Sequence, residues 1–98
     1  MVARPAGARA IYAPPMTPED IRARIQAALP DAEVRVTDTT GGGDHFSATV
    51  VSAAFDGKGL VDRHRLVYAA LGEALHGSAA PIHALALTTE TPEENQQR

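Results

Sequence analysis

Two strand-like segments separated by three consecutive glycines most restrict how this chain can fold. In residues 33–38, Val34 and Val36 alternate with charged or polar residues, a pattern typical of a strand with one buried face. Residues 46–52 have the composition of a second strand. The intervening residues 38–44 read Asp-Thr-Thr-Gly-Gly-Gly-Asp. This connection is longer than a tight turn, and its glycines permit unusual backbone angles. We therefore predict a hairpin with a mobile glycine loop.

A helix is predicted on the N-terminal side of the hairpin. Thr17 stands where an N-cap is needed, Pro18 takes the first helical position, and two carboxylates follow in the first turn. Pro30 ends the helix, because the residue before a proline is disfavoured in the helical conformation. The apolar residues that recur at helical spacing between these signals are Ile21, Ile25, Ala28 and Leu29.

A second helix and a third strand are predicted on the C-terminal side. Gly77 should stop a helix whose apolar face carries Leu60, His64, Val67, Leu71 and Leu75. Residues 82–88 form a strand with alternate faces, Ile82, Ala84 and Ala86 against His83, Leu85 and Leu87. This order of elements predicts an α+β sandwich, with helices on one face of a three-stranded sheet. A long crossover allows the third strand to pair parallel to an earlier strand.

Composition excludes several classes of function. The 98 residues, 44% hydrophobic and 21% charged, suit one small domain. The chain has no cysteine, so disulfides, thiolate zinc sites and thiol catalysis by this chain alone are excluded. A net charge of −3 with a single lysine argues against a diffuse electrostatic grip on nucleic acid, so any such site must be local.

The two ends of the chain have the composition of irregular segments. Residues 1–15 are rich in Ala, Pro and Gly, and we interpret them as a flexible extension. Their arginines resemble those of a transit peptide only faintly, since the prolines disfavour an amphipathic helix. Residues 91–98 are predicted to be a polar, frayed tail. No apolar run is long enough for a signal peptide or a membrane span, so we expect a cytoplasmic protein without membrane contacts.

Four histidines are the main candidates for metal ligation, because this chain has no thiols. His45 follows the glycine loop, and His83 begins the predicted third strand. No short metal-binding spacing links any two histidines, so spacing alone does not join them in one site. His64 is expected to be a core histidine held by a hydrogen bond, and His76 a solvated residue near a helix C-terminus.

The only basic cluster is Arg63-His64-Arg65, preceded by Gly57-Lys58-Gly59. The free amides of a helix N-terminus, with Lys58 beside them, could hold a phosphate. The alternative is an ordinary solvated helix face, because Asp56 and Asp62 offset these cations. Phosphate-loop and nucleophile-elbow motifs are absent, so we predict neither an enzyme nor a small-molecule substrate.

Two longer motifs resemble the BolA-like protein family. Residues 50–68 read Val-Val-Ser-Ala-Ala-Phe-Asp-Gly-Lys-Gly-Leu-Val-Asp-Arg-His-Arg-Leu-Val-Tyr, and residues 82–85 read Ile-His-Ala-Leu. The resemblance extends over about residues 17–92, and the Gly-Gly-Gly-Asp-His-Phe loop is similar to the bacterial, acid-stress-related, short-loop histidine type. It implies a class II KH-like α-β-β-α-α-β fold over residues 16–90, with a short helical turn near Phe55.

The resemblance implies one leading function, that of a non-enzymatic partner of a monothiol glutaredoxin. The two proteins would share a bridging 2Fe-2S cluster, with glutathione, in iron–sulfur cluster trafficking or iron and redox regulation. His83 matches the family's shared cluster ligand, and His45 takes the place of the second ligand, which in the cysteine-bearing branch falls near Gly42. Because this chain has no cysteine, the thiolates must come from the partner, and the isolated chain should hold no cluster.

The resemblance also implies an alternative function, that of a DNA-binding transcriptional regulator acting through a helix-turn-helix-like segment. The matching positions are Lys58, Arg63, His64 and Arg65. The stretch Gly57-Lys58-Gly59-Leu60 lacks the Gly-x-x-Gly pattern of a KH clamp, which argues against KH-style RNA binding. A small structural dimer with neither activity is the third hypothesis.

Overall fold

The structure, a computed structural model, describes residues 16–76 and 80–97, so the predicted N-terminal extension lies outside the described residues. The helices are α1 (Pro18–Ala28), α2 (Leu60–Leu71) and α3 (Pro92–Gln96), and the strands are β1 (Glu33–Asp38), β2 (His45–Val51) and β3 (Ala84–Glu90). Two 3-10 turns, Ala53–Phe55 and Gly72–Ala74, flank α2. The α+β class and the α-β-β-α-α-β order are confirmed, with a 3-10 turn as the short fourth element. No helix in the described ranges combines the length and apolar character needed to cross a membrane.

The three strands form one sheet in the order β1-β2-β3. β1 and β2 are antiparallel, with Val36 opposite Ala48, which confirms the predicted hairpin. β2 and β3 are parallel, with Phe46 opposite Leu85, as a crossover through α2 allows. The parallel pairing also brings the first residues of β2 beside the first residues of β3. Two chain segments far apart in sequence therefore meet at one end of the sheet.

The core lies between the helices and one face of the sheet. In β2 the side chains of Phe46, Ala48 and Val50 are buried, whereas Ser47 on the opposite face is exposed. Phe55, at the end of the first 3-10 turn, is completely buried. The helices complete this cluster with Ile21, Ile25, Val67 and Leu71. Alternation along the strands therefore assigns one face to the core and leaves the other open.

The caps of α1 agree with the sequence. Thr17 Oγ1 accepts a hydrogen bond from the Asp20 amide at 3.1 Å, and the Thr17 amide donates to Asp20 Oδ2 at 3.0 Å. This reciprocal pair is a capping box, with aspartate in the place of the more common glutamate. The helix ends at Ala28, two residues before Pro30, as predicted.

The second helix is shorter than predicted. It ends at Leu71 because Gly72 takes a φ of 51°, a left-handed conformation that glycine adopts most easily. Gly77, the predicted stop, lies outside the described residues. The placement of Leu60 on the buried face is wrong, because this residue is 65% exposed in the first helical turn.

The third strand begins at Ala84, two residues later than predicted. Ile82 is buried, and its amide donates to the Ala74 carbonyl at 3.0 Å, so it packs beneath the second 3-10 turn instead of pairing in the sheet. His83 therefore precedes β3, and its amide donates to the Asp44 carbonyl at 2.8 Å. Leu85 and Leu87, which the alternation places on the same face, pack against the core.

The C-terminal residues contain a helix where we expected fraying. Thr91 and Glu94 form a second capping box around the start of α3. The Glu94 carboxylate also accepts two hydrogen bonds from Arg63 in α2, at 2.7 and 3.2 Å. Asn95 accepts a hydrogen bond from Arg35 of β1 at 3.5 Å. Contacts with two other elements therefore hold this short polar helix in place.

Replacing the buried Ser52 by alanine should lower the free energy of unfolding by about 1–2 kcal/mol. Its hydroxyl donates to Asp31 Oδ1 at 2.8 Å and accepts from the Ala54 amide at 3.0 Å. These bonds fix the 3-10 turn that carries Phe55. Urea denaturation measures the loss, and Ser47→Ala on the exposed face is the matched control, with an expected change within about 0.5 kcal/mol. Equal effects of the two substitutions would contradict this role of Ser52.

Candidate metal-binding site

The glycine loop between β1 and β2 is organised by the carboxylate of Asp38. Its Oδ1 accepts hydrogen bonds from the amides of Gly41 at 2.8 Å and Thr40 at 3.2 Å, and its Oδ2 accepts one from the Gly43 amide at 2.9 Å. Gly41 and Gly43 have φ values of 81° and 76°, which the tight path of the loop requires. The loop expected to be mobile therefore has three of its amides bound to one side chain.

His45, which directly follows this loop, lies beside His83 in the structure. The Asp44 carbonyl accepts from the amides of His83 and Ala84, at 2.8 and 3.3 Å, which fixes the start of β2 against the start of β3. The ring centroids of His45 and His83 are 6.2 Å apart, with an interplanar angle of 85°. The structure therefore brings together the two histidines that the sequence analysis named as ligands, although no spacing rule connects them.

Asp44 lies between the two imidazole rings. Its Oδ1 is 3.0 Å from His45 Nδ1, and its Oδ2 is 3.5 Å from His83 Nδ1. The contact with His45, together with the attraction of both imidazoles, holds the pKa of the Asp44 carboxyl below its ordinary value. The sequence analysis missed this residue, because only the pairing of the folded strands brings Asp44 beside His83, whose amide donates to the Asp44 carbonyl.

The two imidazoles form an accessible but incomplete set of metal ligands. The side chains of His45 and His83 are 44% and 64% exposed, so a partner can reach both. Imidazole nitrogens suit zinc, copper and iron, and they bind an ion such as zinc from about 2.0–2.1 Å. The described residues contain no group of three or more His, Cys, Asp or Glu side chains that could hold a metal ion. Two imidazoles therefore supply at most half of the four ligands of a tetrahedral metal site.

Comparison with known proteins identifies the family. A family model described as BolA-like protein matches residues 24–94. The chain belongs to the BolA-like family. It is 39% identical to human BolA-like protein 1 over 87 residues, which is 79% of this chain and 61% of that protein. It therefore spans about three fifths of the length of that mammalian relative. Protein BOLA2 of Arabidopsis thaliana is 38% identical over 81 residues, 81% of this chain and 83% of that protein.

Solved BolA structures have the same fold as this BolA-like chain. A bolA protein homologue from Coxiella burnetii superposes with a TM-score of 0.68 at 39% identity, covering 83% of this chain and 97% of that one. The solution structure of mouse BolA1 gives a TM-score of 0.71 at 31% identity, covering 99% of this chain and 80% of that one. The resemblance read from two motifs is therefore confirmed, with the family model matching residues 24–94.

The other two histidines of this BolA-like chain lie away from the His45–His83 pair. His64 is half-buried in α2, and its Nε2 is buried without a hydrogen-bond partner, so the expected hydrogen bond is absent there. Its ring lies 6.0 Å from that of Tyr68, which is in turn 6.3 Å from the ring of His76. His76 is exposed, as expected. Neither residue extends the candidate site.

The four residues predicted to contact nucleic acid do not share one exposed surface. Lys58 is exposed, and Arg65 is 75% exposed, 4.0 Å from Asp62. The Arg63 side chain is only 14% exposed, because it binds Glu94 and donates to the Lys58 carbonyl at 2.8 Å. The paired carboxylate raises the pKa of Arg63. Arg63 therefore serves as a link between α2 and α3, which leaves two exposed cations in this segment.

Replacing Glu94 by glutamine should weaken the dependence of stability on acid pH. The hydrogen bonds from Arg63, and then the Thr91 amide, hold the pKa of Glu94 below its ordinary value of 4.5. A carboxyl with a lowered folded-state pKa contributes stability above its unfolded pKa and loses it as the pH falls through the folded value. Urea denaturation at a series of pH values between 7 and about 3 therefore measures the effect, which is modest for an exposed pair.

The neighbouring Glu93 provides the control for this prediction. It is also exposed in the first turn of α3, and no hydrogen bond to Arg63 involves it. Glu93→Gln should therefore keep the acid-dependent loss of stability of the unchanged protein. If the free energy of unfolding fell equally with decreasing pH in Glu94→Gln and in the unchanged protein, the Arg63–Glu94 link would be contradicted.

Proposed function

We propose that this BolA-like chain is a non-enzymatic partner of a monothiol glutaredoxin, with which it shares a bridging 2Fe-2S cluster. The role would lie in iron–sulfur cluster trafficking or in iron and redox regulation. One observation carries the proposal: two accessible imidazoles, His45 and His83, stand side by side in a chain without cysteine. Such a pair supplies part of a metal site and needs a second molecule for the rest.

The chemistry of iron–sulfur clusters supports a shared site. These clusters are held mainly by cysteine thiolates, and imidazoles can replace two thiolates on one iron, which raises the reduction potential. A monothiol glutaredoxin and its bound glutathione would supply the thiolates that this chain lacks, while His83 and His45 would supply nitrogen. A cytoplasmic location suits this arrangement, because thiols stay reduced there.

The relatives support a binding module more than an independent catalyst. A SufE-like protein of Arabidopsis thaliana is 43% identical over 63 residues, which is only 16% of that protein. Its BolA domain alone superposes with a TM-score of 0.68 at 36% identity, covering 79% of this chain and 93% of that one. A domain that also occurs attached to a larger protein is consistent with a role in assembly.

Reconstitution with a monothiol glutaredoxin tests the proposal. The two proteins are mixed anaerobically with ferric iron, sulfide and glutathione, then analysed by size-exclusion chromatography, absorption and visible circular dichroism. We expect a coloured 1:1 heterodimer with a spectrum distinct from that of glutaredoxin alone, and no colour from this chain alone. Elution of all colour with a glutaredoxin-only species would contradict the proposal, and the same chromatogram detects a structural dimer of this chain.

The DNA-binding alternative has weaker support. Affinity for DNA grows with the number of phosphates that cations neutralise, and its salt dependence reports that number. With Arg63 bound to Glu94, the segment offers Lys58 and Arg65 on a protein of net charge −3. This surface is small for an independent DNA-binding function, and we therefore rank it below cluster sharing.

A further inference from the structure

We infer that Asp44 is a positioning residue that turns Nδ1 of both His45 and His83 toward its carboxylate and leaves both Nε2 atoms as metal-binding nitrogens. The part of this inference that concerns metal rests on the proposed function. The part that concerns the orientation and tautomer of the rings does not, since it applies to the isolated chain.

The geometry assigns one carboxylate oxygen to each ring. Oδ1 lies 3.0 Å from His45 Nδ1, and Oδ2 lies 3.5 Å from His83 Nδ1. His45 Nδ1 is buried and makes no hydrogen bond of good angle in the structure. The Asp44 carboxylate lies 3.0 Å from it and could accept its proton once the two groups align. An ionised carboxylate can only accept hydrogen bonds, and two oxygens can serve two N–H donors at once.

Asp44 is itself held in place from three directions. Its carbonyl accepts from the His83 and Ala84 amides, so the backbone that carries His83 is tied to it. The Thr40 hydroxyl lies 3.4 Å from Oδ1 and donates to it. The preceding residue, Gly43, donates its amide to Asp38 at 2.9 Å. The carboxylate therefore occupies a defined place between two strands that would otherwise set the two rings independently.

Imidazole chemistry connects this placement to metal binding. A neutral imidazole carries a proton on one nitrogen and a lone pair on the other, and the hydrogen bond made by the first decides which nitrogen can bind a metal. Histidines that bind metals commonly donate their other N–H to a carboxylate, which fixes the ring and makes it a stronger ligand. Asp44 would perform this function for two rings at once, with His45 and His83 as the ligands.

Long-range proton–nitrogen NMR of the isolated, uniformly labelled chain tests the inference directly. At pH 9, where imidazole is neutral, the nitrogen shifts report the tautomer of each ring. We expect both His45 and His83 to carry the proton on Nδ1, with His76 as an exposed internal comparison that favours Nε2–H. Observation of the Nε2–H tautomer at both His45 and His83 would overturn the inference without any need for a variant.

Two variants and a control sharpen the test. Asp44→Ala should shift both rings to the Nε2–H tautomer, whereas Asp44→Asn, which keeps one acceptor, should shift only one of them. Asp62→Asn removes the same charge from an exposed carboxylate elsewhere and should shift neither ring. Backbone spectra identify any variant that loses its fold, and unchanged tautomers in a folded Asp44→Ala protein would overturn the inference.

The glutaredoxin heterodimer provides the metal-dependent readout. Loss of an outer partner of a metal ligand typically lowers metal affinity by about 10–100-fold. We therefore expect a chelator to remove iron from the cluster of the Asp44→Ala heterodimer at least about tenfold faster than from that of the unchanged protein. The rate for Asp62→Asn should equal that of the unchanged protein. If the unchanged protein assembles no cluster, the proposed function fails while the NMR result still decides the role of Asp44. If cluster loss is unaffected by Asp44→Ala, the positioning role fails and the proposed function stands.

Discussion

Replacing Phe55 by alanine should lower the free energy of unfolding by about 3–5 kcal/mol, the range for deleting a fully buried aromatic side chain. Phe55 has no exposed surface, and it lies in the 3-10 turn between β2 and α2. Because natural domains are stable by only about 5–15 kcal/mol, this loss should remove a large part of the stability of so small a chain. Urea denaturation followed by circular dichroism measures the change through the shift of the midpoint at constant slope.

Exposed apolar residues in α2 provide the matched control for Phe55. Val61 is 62% exposed, so Val61→Ala removes apolar atoms that are already largely in water. We expect its effect to stay within about 0.5 kcal/mol. A loss below about 1 kcal/mol for Phe55→Ala would mean that the 3-10 turn is not part of the core, and would contradict the fold described above.

Replacing His83 by alanine should have the largest effect on the proposed function. The residue is exposed beside β3, so its removal should leave the fold intact and take away a nitrogen ligand. Loss of an outer-shell residue alone lowers metal affinity by about 10–100-fold, and loss of a direct ligand should cost at least as much. Reconstitution with glutaredoxin should therefore yield a heterodimer with little or no cluster absorbance, or with an altered visible circular dichroism spectrum.

His76 is the matched control for this substitution. It is an exposed histidine, and its ring contacts that of Tyr68 instead of the candidate site. His76→Ala should therefore leave cluster assembly unchanged, and His45→Ala should weaken it. A normal spectrum and normal retention of the cluster in His83→Ala would show that this residue is not a ligand. The placement of His83 beside His45 would then no longer support the proposal.

The predictable parts of this fold are those set by local patterns. Two such patterns depend only on residues that are near each other in the sequence. They are the alternation around Val34 and Val36 and the Thr17–Pro18 start of α1. The packing of the helices against one face of the sheet then follows from burying one face of each element. The end of α2 could not be predicted in this way, because glycine stands at both positions 72 and 77 and the local pattern does not decide between them. In the structure the helix ends at Leu71, directly before Gly72.

The parts that could not be predicted depend on contacts between distant residues. Asp44 gained its position from the parallel register of β2 and β3, which brings His83 beside it only after folding. Likewise the sequence alone indicates that Arg63 is one of three exposed cations. Only in the folded chain does α3 place Glu94 where Arg63 can donate to it. Pattern alone named His45 and His83, but only the strand pairing places their rings 6.2 Å apart.

In the proposed complex, imidazoles of this chain bind a cluster whose thiolates come from glutaredoxin. Pulsed electron paramagnetic resonance of the reduced heterodimer, with nitrogen-15 histidine in this chain and an unlabelled glutaredoxin, tests it most directly. We predict strong nitrogen-15 couplings from directly bound imidazole, and a loss of the His83 contribution to them in His83→Ala. A cluster signal without coupling to any nitrogen of this chain would contradict the claim.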